Sequence, residues 1–228
     1  MKKIIVYGLG LCLLVFMVTS CSPKPEESLL KSYFNAVSMN DNQTMSSMAV
    51  DPLKIEADDW KIVQVSEERI APATLREMNQ QEIDLKKQFE ASSGPALDAQ
   101  DVLNAAKDTL TGARSGAARA AAQKKVDEAQ AKYDEAYNAN RALVKQYNDA
   151  KEAASKEEEK MAFSLGVKNL ANIRELTGEI AEKDLEIEVT KDGQVKKYKI
   201  IMEKYTMKDE AAGLVHRGRW IISKFELL

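Results

Sequence analysis

The sequence predicts an α+β protein: an N-terminal helix packed on a curved antiparallel sheet of about four strands, with a long antiparallel helical hairpin inserted after the first strand. Three observations predict this fold. Apolar residues recur at helical spacing near the start of the chain. A seven-residue repeat fills the middle third. Apolar and polar residues alternate just before that repeat and again in the last fifty residues.

The N-terminal helix carries its apolar side chains at the spacing of one helical face: Leu29, Leu30, Tyr33, Phe34 and Val37. Glu26 and Glu27 precede them and suit the positive end of a helix dipole. Residues 60–70 then alternate between apolar and polar, which predicts a first strand with one buried face. The helix is therefore expected to pack on that face.

The middle third carries two runs of an apolar seven-residue repeat on either side of a glycine-containing stretch, residues 112–116. The first run is Leu75, Met78, Glu82, Leu85, Phe89, Ser92, Ala96, Ala99, Leu103, Ala106 and Leu110. The second run is Val126, Ala129, Tyr133, Ala136, Asn140, Leu143, Tyr147, Ala150 and Ala154. Two such seams predict an antiparallel helical hairpin over residues 73–163, with a first helix of roughly 55 Å.

Three details of the hairpin carry expectations of their own. Gly94 and Pro95 are expected to kink or interrupt the first helix. Asn140, at a seam position, is expected to set the register at some cost in stability. The run KEEEK, residues 156–160, is interpreted as solvated charge. A heptad seam does not say whether its mate lies in the same chain, so self-association between copies stays open, as does a helix without any partner surface.

The last fifty residues predict three antiparallel strands. Alternation over residues 179–190 gives the first, and Asp192-Gly193 is typical of a type I′ turn, in which both residues have positive φ. Residues 195–207 form its partner. Residues 213–227 give a last strand, with Trp220, Ile222 and Phe225 as apolar anchors.

The first twenty residues have the layout of a signal peptide. Lys2 and Lys3 precede an apolar run over residues 4–18, which ends in the sequence VTSC at residues 18–21. This sequence resembles the lipobox of bacterial lipoproteins. The resemblance implies cleavage after residue 20 and a diacylglycerol on Cys21, so that residues 21–25 tether the protein to a membrane. Ser22, in place of aspartate, implies the outer membrane on its periplasmic side. The alternative is an uncleaved transmembrane helix.

Composition and residue types argue against several function classes. The chain has 33 Lys and Arg and 36 Asp and Glu, a net charge of −3, and loss of Lys2 and Lys3 with the signal peptide takes it to −5. A mildly acidic envelope protein is not expected to bind nucleic acid. Cys12 would leave with the signal peptide and Cys21 would carry lipid, so no disulfide or thiolate metal site is expected, and no cofactor.

No catalytic constellation stands out. His216 is the only histidine, and it lies beside Arg217 and Arg219 without an acidic neighbour to orient it. We therefore expect a residue of a turn or of the sheet surface rather than a general base. The sequence also lacks a phosphate-binding loop and a nucleophile elbow.

The two ends of the chain resemble a known group of proteins. YFNAVSMNDNQTMSSM near the start and HRGRWIISKFEL at the end are similar to bacterial lipoproteins with the nuclear-transport-factor-like, or cystatin-like, fold. The resemblance implies an α+β domain over residues 26–72 and 164–228. This fold transfers no function by itself. The expected function is a lipid-anchored, non-enzymatic docking or scaffold protein that contacts another envelope protein through the hairpin. The alternatives are a small-ligand carrier that uses the cone of the sheet, and a cell-wall or lipid-modifying enzyme.

Overall fold

The computed structural model describes residues 24–168 and 170–228, and it has the predicted α+β architecture. The helices are α1 (Pro25–Ser38), α2 (Asn42–Ser46), α3 (Leu75–Gly112) and α4 (Gly116–Leu165), with a short 3₁₀ helix at Ile173–Glu175. The strands are β1 (Asp59–Val65), β2 (Arg69–Pro72), β3 (Thr177–Lys191), β4 (Gln194–Asp209), β5 (Leu214–Arg217) and β6 (Ile221–Leu227).

The sheet is antiparallel, curled and four strands wide. β3 and β4 form its long central hairpin, and the predicted type I′ turn is confirmed by positive φ angles of 50° at Asp192 and 75° at Gly193. β1 and β2 pair with successive parts of β3, while β6 and β5 pair with successive parts of β4. The six strands therefore occupy four positions across the sheet, because β1 and β2 share one edge and β5 and β6 share the other.

Both edge strands were predicted as continuous, and this is wrong in each case. Between β5 and β6 the chain leaves the ladder, because Ser164 of α4 takes the place of a strand partner. Its Oγ accepts a hydrogen bond from Tyr205 N (3.1 Å) and donates one to Arg219 O (2.7 Å). Between β1 and β2, Ser66 Oγ accepts from Asp184 N (2.9 Å). Contacts between residues far apart in sequence therefore produce both breaks.

The larger core lies between α1 and one face of the sheet, as predicted. Its buried members on α1 are Leu30, Tyr33, Phe34, Ala36 and Val37, and those on the strands are Leu185, Ile187, Val189, Ile200, Met202 and Ile222. Phe34 stacks on Trp60 at 4.8 Å between ring centroids, and the Tyr33 hydroxyl donates to Leu53 O (2.8 Å). The rings of Tyr33 and Phe34 are therefore packed against protein.

α3 and α4 form the predicted antiparallel hairpin, which joins β2 to β3. Every residue of the two predicted seams is buried or half-buried. Phe89 stacks on Tyr147 midway along it, and Leu103 packs with Val126 and Ala129 near the tip. We call residues 75–165 the arm.

Gly94 and Pro95 were predicted to kink or interrupt the helix, and the interruption does not occur, since α3 is one helix of 38 residues with Pro95 inside it. A proline in a helix interior costs about 3 kcal/mol. Seam contacts on both sides of Pro95 offset that cost: the Phe89–Tyr147 stack lies before it and the Leu103 cluster after it. Pairing with α4 thus overrides the local preference.

A second core joins the base of the arm to the opposite face of the sheet. Leu75 of α3 and Ala154 and Met161 of α4 pack there with Tyr205 and Met207 of β4. Successive residues of a strand point to opposite faces, so these odd-numbered positions face away from Ile200 and Met202 of the α1 core. The sheet therefore lies between α1 and the arm.

Candidate functional site

The arm is the most extended feature of the described chain. At 1.5 Å per residue, α3 is about 57 Å long. Only its base contacts the sheet, through the second core and two polar clusters. The remaining length presents both flanks of a two-helix ribbon to solvent.

One flank near the tip carries a shallow groove of about 340 Å³, which we call the distal groove. Its lining residues are Val102, Ala105, Ala106 and Thr109 of α3 and Lys125, Glu128, Ala129 and Lys132 of α4. Val102 is 59 % exposed although it is apolar. The groove therefore has an apolar floor of small side chains and a rim of charge.

The other flank carries exposed apolar side chains near the middle of the arm. Leu97 is 61 % exposed and Tyr137 is 46 % exposed, and Tyr137 stacks on Tyr133 at 5.6 Å. Here Asn140 Nδ2 donates to Ser92 Oγ (2.8 Å) and Ser93 Oγ (3.2 Å) across the seam. This contact agrees with the register-setting role expected for Asn140.

A buried quartet of polar residues fixes the arm to the sheet: Glu157 and Lys160 of α4 with Glu203 and Tyr205 of β4. Lys160 Nζ lies 2.7 Å from Glu157 Oε2 and 3.3 Å from Glu203 Oε2. The Tyr205 hydroxyl lies 2.8 Å from Glu157 Oε1 and 3.1 Å from Glu203 Oε2. Glu157 is 7 % exposed and Glu203 8 %, so both carboxylates depend on these partners.

The electrostatics of the quartet keep Tyr205 neutral and Lys160 charged. Burial, followed by the negative charges of Glu157 and Glu203, raises the pKa of Tyr205 far above its ordinary value. Burial by itself lowers the pKa of Lys160, but hydrogen bonds and charge attraction from the two carboxylates hold it above its ordinary value. The phenol has one proton for two carboxylates, so it donates to only one of them at a time.

A second cluster centres on Arg174, in the 3₁₀ helix. Its Nε donates to Glu158 Oε2 of α4 (2.6 Å) and its Nη1 to Glu82 Oε2 of α3 (2.7 Å). One guanidinium therefore ties both arm helices to the segment that leads into β3. Together with the quartet it fixes the direction of the arm relative to the sheet.

The sequence found some of these residues and missed others. Glu82 was predicted to lie on the α3 seam, and its ion pair with Arg174 accounts for a charged residue at that position. Interpreting residues 156–160 wholly as solvated charge was wrong, because Glu157 is buried. The seven-residue repeat gave the signal: it continues past Ala154 through residues 157, 161 and 164, all buried. The long-range partners Glu203 and Tyr205 had no local signal.

The residues singled out from sequence for chemistry do not form a site together. Cys21 lies outside the described residues. His216 lies in β5 opposite Met207, and its Nε2 is buried without a hydrogen-bond partner in the part of the chain that the structure describes. Within the described ranges, no group of three or more His, Cys, Asp or Glu side chains is arranged to hold a metal ion. Among these residues, no helix is both long and apolar enough to cross a membrane.

A cleft of about 380 Å³ lies beside the quartet. Its lining residues are Arg69, Ala71, Pro72, Thr74, Glu157, Lys160, Ile180, Glu182 and Glu203. Its charges are already paired, since Arg69 lies 3.1 Å from Asp184 and also contacts Glu182, while Lys160 pairs with Glu157 and Glu203.

Comparison of the chain with protein-family models, with curated proteins and with solved structures found no match.

Proposed function

We propose that this protein is a lipid-anchored, non-enzymatic docking or scaffold protein of the cell envelope, whose arm contacts another envelope protein. The observation that carries the proposal is the arm itself. It extends about 57 Å, is clamped to the sheet by two ion clusters, and exposes apolar side chains on both flanks. A rigid base means that little conformational freedom is lost when a partner binds.

The anchor is the lipobox cysteine, Cys21. Pro25 begins α1 only four residues later, and four residues span at most about 15 Å. The folded part then lies close to the membrane, on the periplasmic side of the outer membrane if sorting follows Ser22. Two or three acyl chains would give durable attachment. The resemblance to nuclear-transport-factor-like lipoproteins stays a prediction.

A capture experiment with a shortened arm tests the docking role. A short glycine–serine loop replaces residues 94–138, so that the Phe89–Tyr147 stack and the Asn140 contacts to Ser92 and Ser93 remain. The full-length and short-arm proteins carry the same C-terminal tag and are captured from solubilised envelopes. We expect both in the membrane fraction and specific partners only with the full arm. Equal partners with both would contradict the docking role.

The small-ligand carrier is the second candidate, and one groove favours it. The groove has a volume of about 450 Å³ at the turn end of the β3–β4 hairpin, and its lining includes Lys54, Lys191, Lys196 and Tyr198 together with Glu56 and Asp192. Lys54 and Lys191 already pair with Glu56 and Asp58, which leaves the ammonium group of Lys196 to contact an anionic ligand. A rise in melting temperature of the full chain with small anionic metabolites, abolished by Lys196→Glu, would support this function. No shift with any of them would count against it.

The enzyme hypothesis expects a cleft with convergent acids, and the cleft beside Glu157 and Glu203 has them. These carboxylates share one lysine and one tyrosine and are nearly inaccessible, whereas a general acid or base has to reach its substrate. We therefore assign the quartet to holding the arm. Turnover of peptidoglycan or phospholipid by the purified protein, lost in Glu203→Gln, would overturn this assignment.

A further inference from the structure

The N-terminus of α1, which leads back to Cys21, lies beside the central strand β3. Glu26, in the first turn of α1, is buried, and its Oε2 lies 3.5 Å from Lys183 Nζ of β3. Pro25 is therefore held next to this part of the sheet. Since residues 21–25 span at most about 15 Å, a membrane that holds Cys21 lies within that distance of the same place.

The sheet continues beyond the N-terminus of α1, and there its α1 side is open. Leu185 of β3 is buried in the α1 core, and alternation along the strand puts Lys183 and Ala181 on the same face. Residues directly opposite each other in a ladder share a face, so Ile70 of β2 and Lys204 of β4, both opposite Ala181, lie there as well. Ile70 is 63 % exposed although it is apolar. We call this part of the sheet, from Ile70 across β3 and β4 to β5, the open face.

Trp220 lies at the border between the α1 core and the open face. One side of its ring packs against the α1 core, and the side chain is half-exposed. The ammonium groups of Lys183 and Lys204 lie 5.2 Å and 5.0 Å from the centroid of the ring. Trp220 therefore combines an apolar body with a charged and wet surrounding, which is the setting that tryptophan occupies where hydrocarbon meets the headgroups of a bilayer.

The charges on the open face and at its border balance. The basic side chains are Lys183, Lys204, Lys208 and Arg217, and the acidic ones are Glu26, Glu68, Glu179 and Glu210. Val215 of β5 lies among them opposite Lys208 and is 54 % exposed. A surface with both signs of charge does not select a polyanion, whereas it complements phospholipid headgroups such as phosphatidylethanolamine, which carry both signs themselves.

We propose that the open face rests on the phospholipid headgroups of the membrane, with Trp220, Ile70 and Val215 in the interface. This inference rests on the anchored function proposed above. A small apolar contact binds a bilayer weakly by itself, but the anchor keeps the face at the membrane, so that the two act together. The base of the arm packs on the opposite face of the sheet, through Met161 and Tyr205. The contact therefore holds that base on the side of the sheet away from the membrane, where an envelope protein can reach the arm.

Quenching of tryptophan fluorescence by lipid tests the contact, because the chain has only two tryptophans. The acylated protein is reconstituted, with no other protein, into phosphatidylethanolamine–phosphatidylglycerol vesicles with and without brominated acyl chains. Trp60→Phe leaves Trp220, which is expected to lose roughly half of its emission to the brominated lipid. Trp220→Phe is the matched control. It leaves Trp60, which lies opposite Val189, about 20 Å farther along β3 than Lys183, and is expected to keep its emission.

An unquenched Trp220, or equal quenching of the two tryptophans, overturns the proposal. An open face that binds a partner protein instead of lipid would also leave Trp220 unquenched, because the vesicles contain no other protein. High salt is expected to leave the quenching unchanged, since the charges balance, and quenching that disappears at high salt would contradict an apolar contact.

A nitroxide label gives a second test that keeps both tryptophans. Cys21 carries lipid, so Ile70→Cys provides a single thiol on the open face, and Val195→Cys, 57 % exposed at the other end of β4, is the control. In vesicles the label at position 70 is expected to be several-fold more accessible to oxygen than to a water-soluble nickel complex, relative to position 195. Equal accessibility at the two positions overturns the proposal. Flotation of the same vesicles reports the anchor separately: protein that floats with position 70 in water refutes the open-face contact alone, whereas protein without lipid at Cys21 refutes the anchored function as well.

Discussion

The Tyr205 hydroxyl lies 2.8 Å from Glu157 Oε1, and this contact joins the central strand β4 to the arm inside the protein. Forty-eight residues separate the two along the chain. Glu203 and Lys160 complete the arrangement, so the direction of the arm depends on a polar cluster from which most solvent is excluded. Buried polar clusters are costly when one member is lost, which makes the junction open to direct test.

Tyr205→Phe removes the phenol that faces both carboxylates and is expected to lower the free energy of unfolding by about 1–3 kcal/mol. Urea denaturation followed by circular dichroism measures the change. Tyr198→Phe, on the same strand but half-exposed, is the control and is expected to change stability by less than about 0.5 kcal/mol. Equal effects of the two substitutions would contradict the role of the quartet.

The protein is expected to lose stability in alkali. Burial raises the pKa of Tyr33 to about 12, and the pKa of Tyr205 is raised further, while both titrate near 10 in the unfolded chain. A group whose pKa is raised on folding stabilises the protein fully below its unfolded pKa, and that contribution falls as the pH rises toward its folded pKa. The pKa of Lys160 is also raised on folding, so its contribution to stability likewise falls as the pH rises above 10.5.

Each buried tyrosine is therefore expected to lower the free energy of unfolding by up to about 1.4 kcal/mol per pH unit above pH 10. Urea titrations between pH 8 and 11.5 measure the slope, and Tyr205→Phe should reduce it. Tyrosinate absorbance in the native protein provides the check. Ionisation of Tyr33 and Tyr205 near pH 10 without unfolding would contradict the burial of these two side chains.

Two glycine substitutions of the same kind are expected to have opposite effects. A Cβ at Gly218 would lie 2.8 Å from Tyr205 O and would also collide with Ser164, so Gly218→Ala should destabilise by about 1–3 kcal/mol. A Cβ at Gly94 meets nothing within 4 Å in the middle of α3, so Gly94→Ala should stabilise by up to about 1 kcal/mol. Melting temperatures of both variants decide this, and two shifts of the same sign would argue against these environments.

Asn140→Leu is expected to raise the melting temperature, because an apolar side chain suits the seam better than an amide does. Ser92 and Ser93 keep a partner in that variant, since both hydroxyls also donate to Phe89 O. Asn140→Ala removes the amide without filling its space and is expected to cost about 1 kcal/mol. A lower melting temperature for the leucine variant would show that the amide contributes net stability.

Periodicity predicted the arm well because a seam repeats over many residues, and single departures such as Glu82 or Asn140 do not hide it. The edges of the sheet were harder. The break at Gly218 depends on Ser164, and the break after β1 on the pairing of Ser66 with Asp184, so no local pattern marks either one.

The junction shows the same division between local and long-range information. Continuing the heptad places residue 157 on the seam, but the charged residues around it favour solvent exposure instead. Its partners on β4 come from a strand whose alternation indicates only which face each residue occupies. Sequence patterns could therefore place the arm and the sheet, but not the contacts that join them.

Photo-cross-linking in living cells tests the docking role most directly. Benzoylphenylalanine at Tyr137 places a reactive group on an exposed flank of the arm, and the same residue at Val195, exposed at the far end of β4, is the matched control. We expect a discrete cross-linked envelope protein from position 137, lost when Cys21→Ala removes the proposed anchor, and none from position 195. Adducts from position 195 alone, or adducts that survive the loss of Cys21, would contradict it.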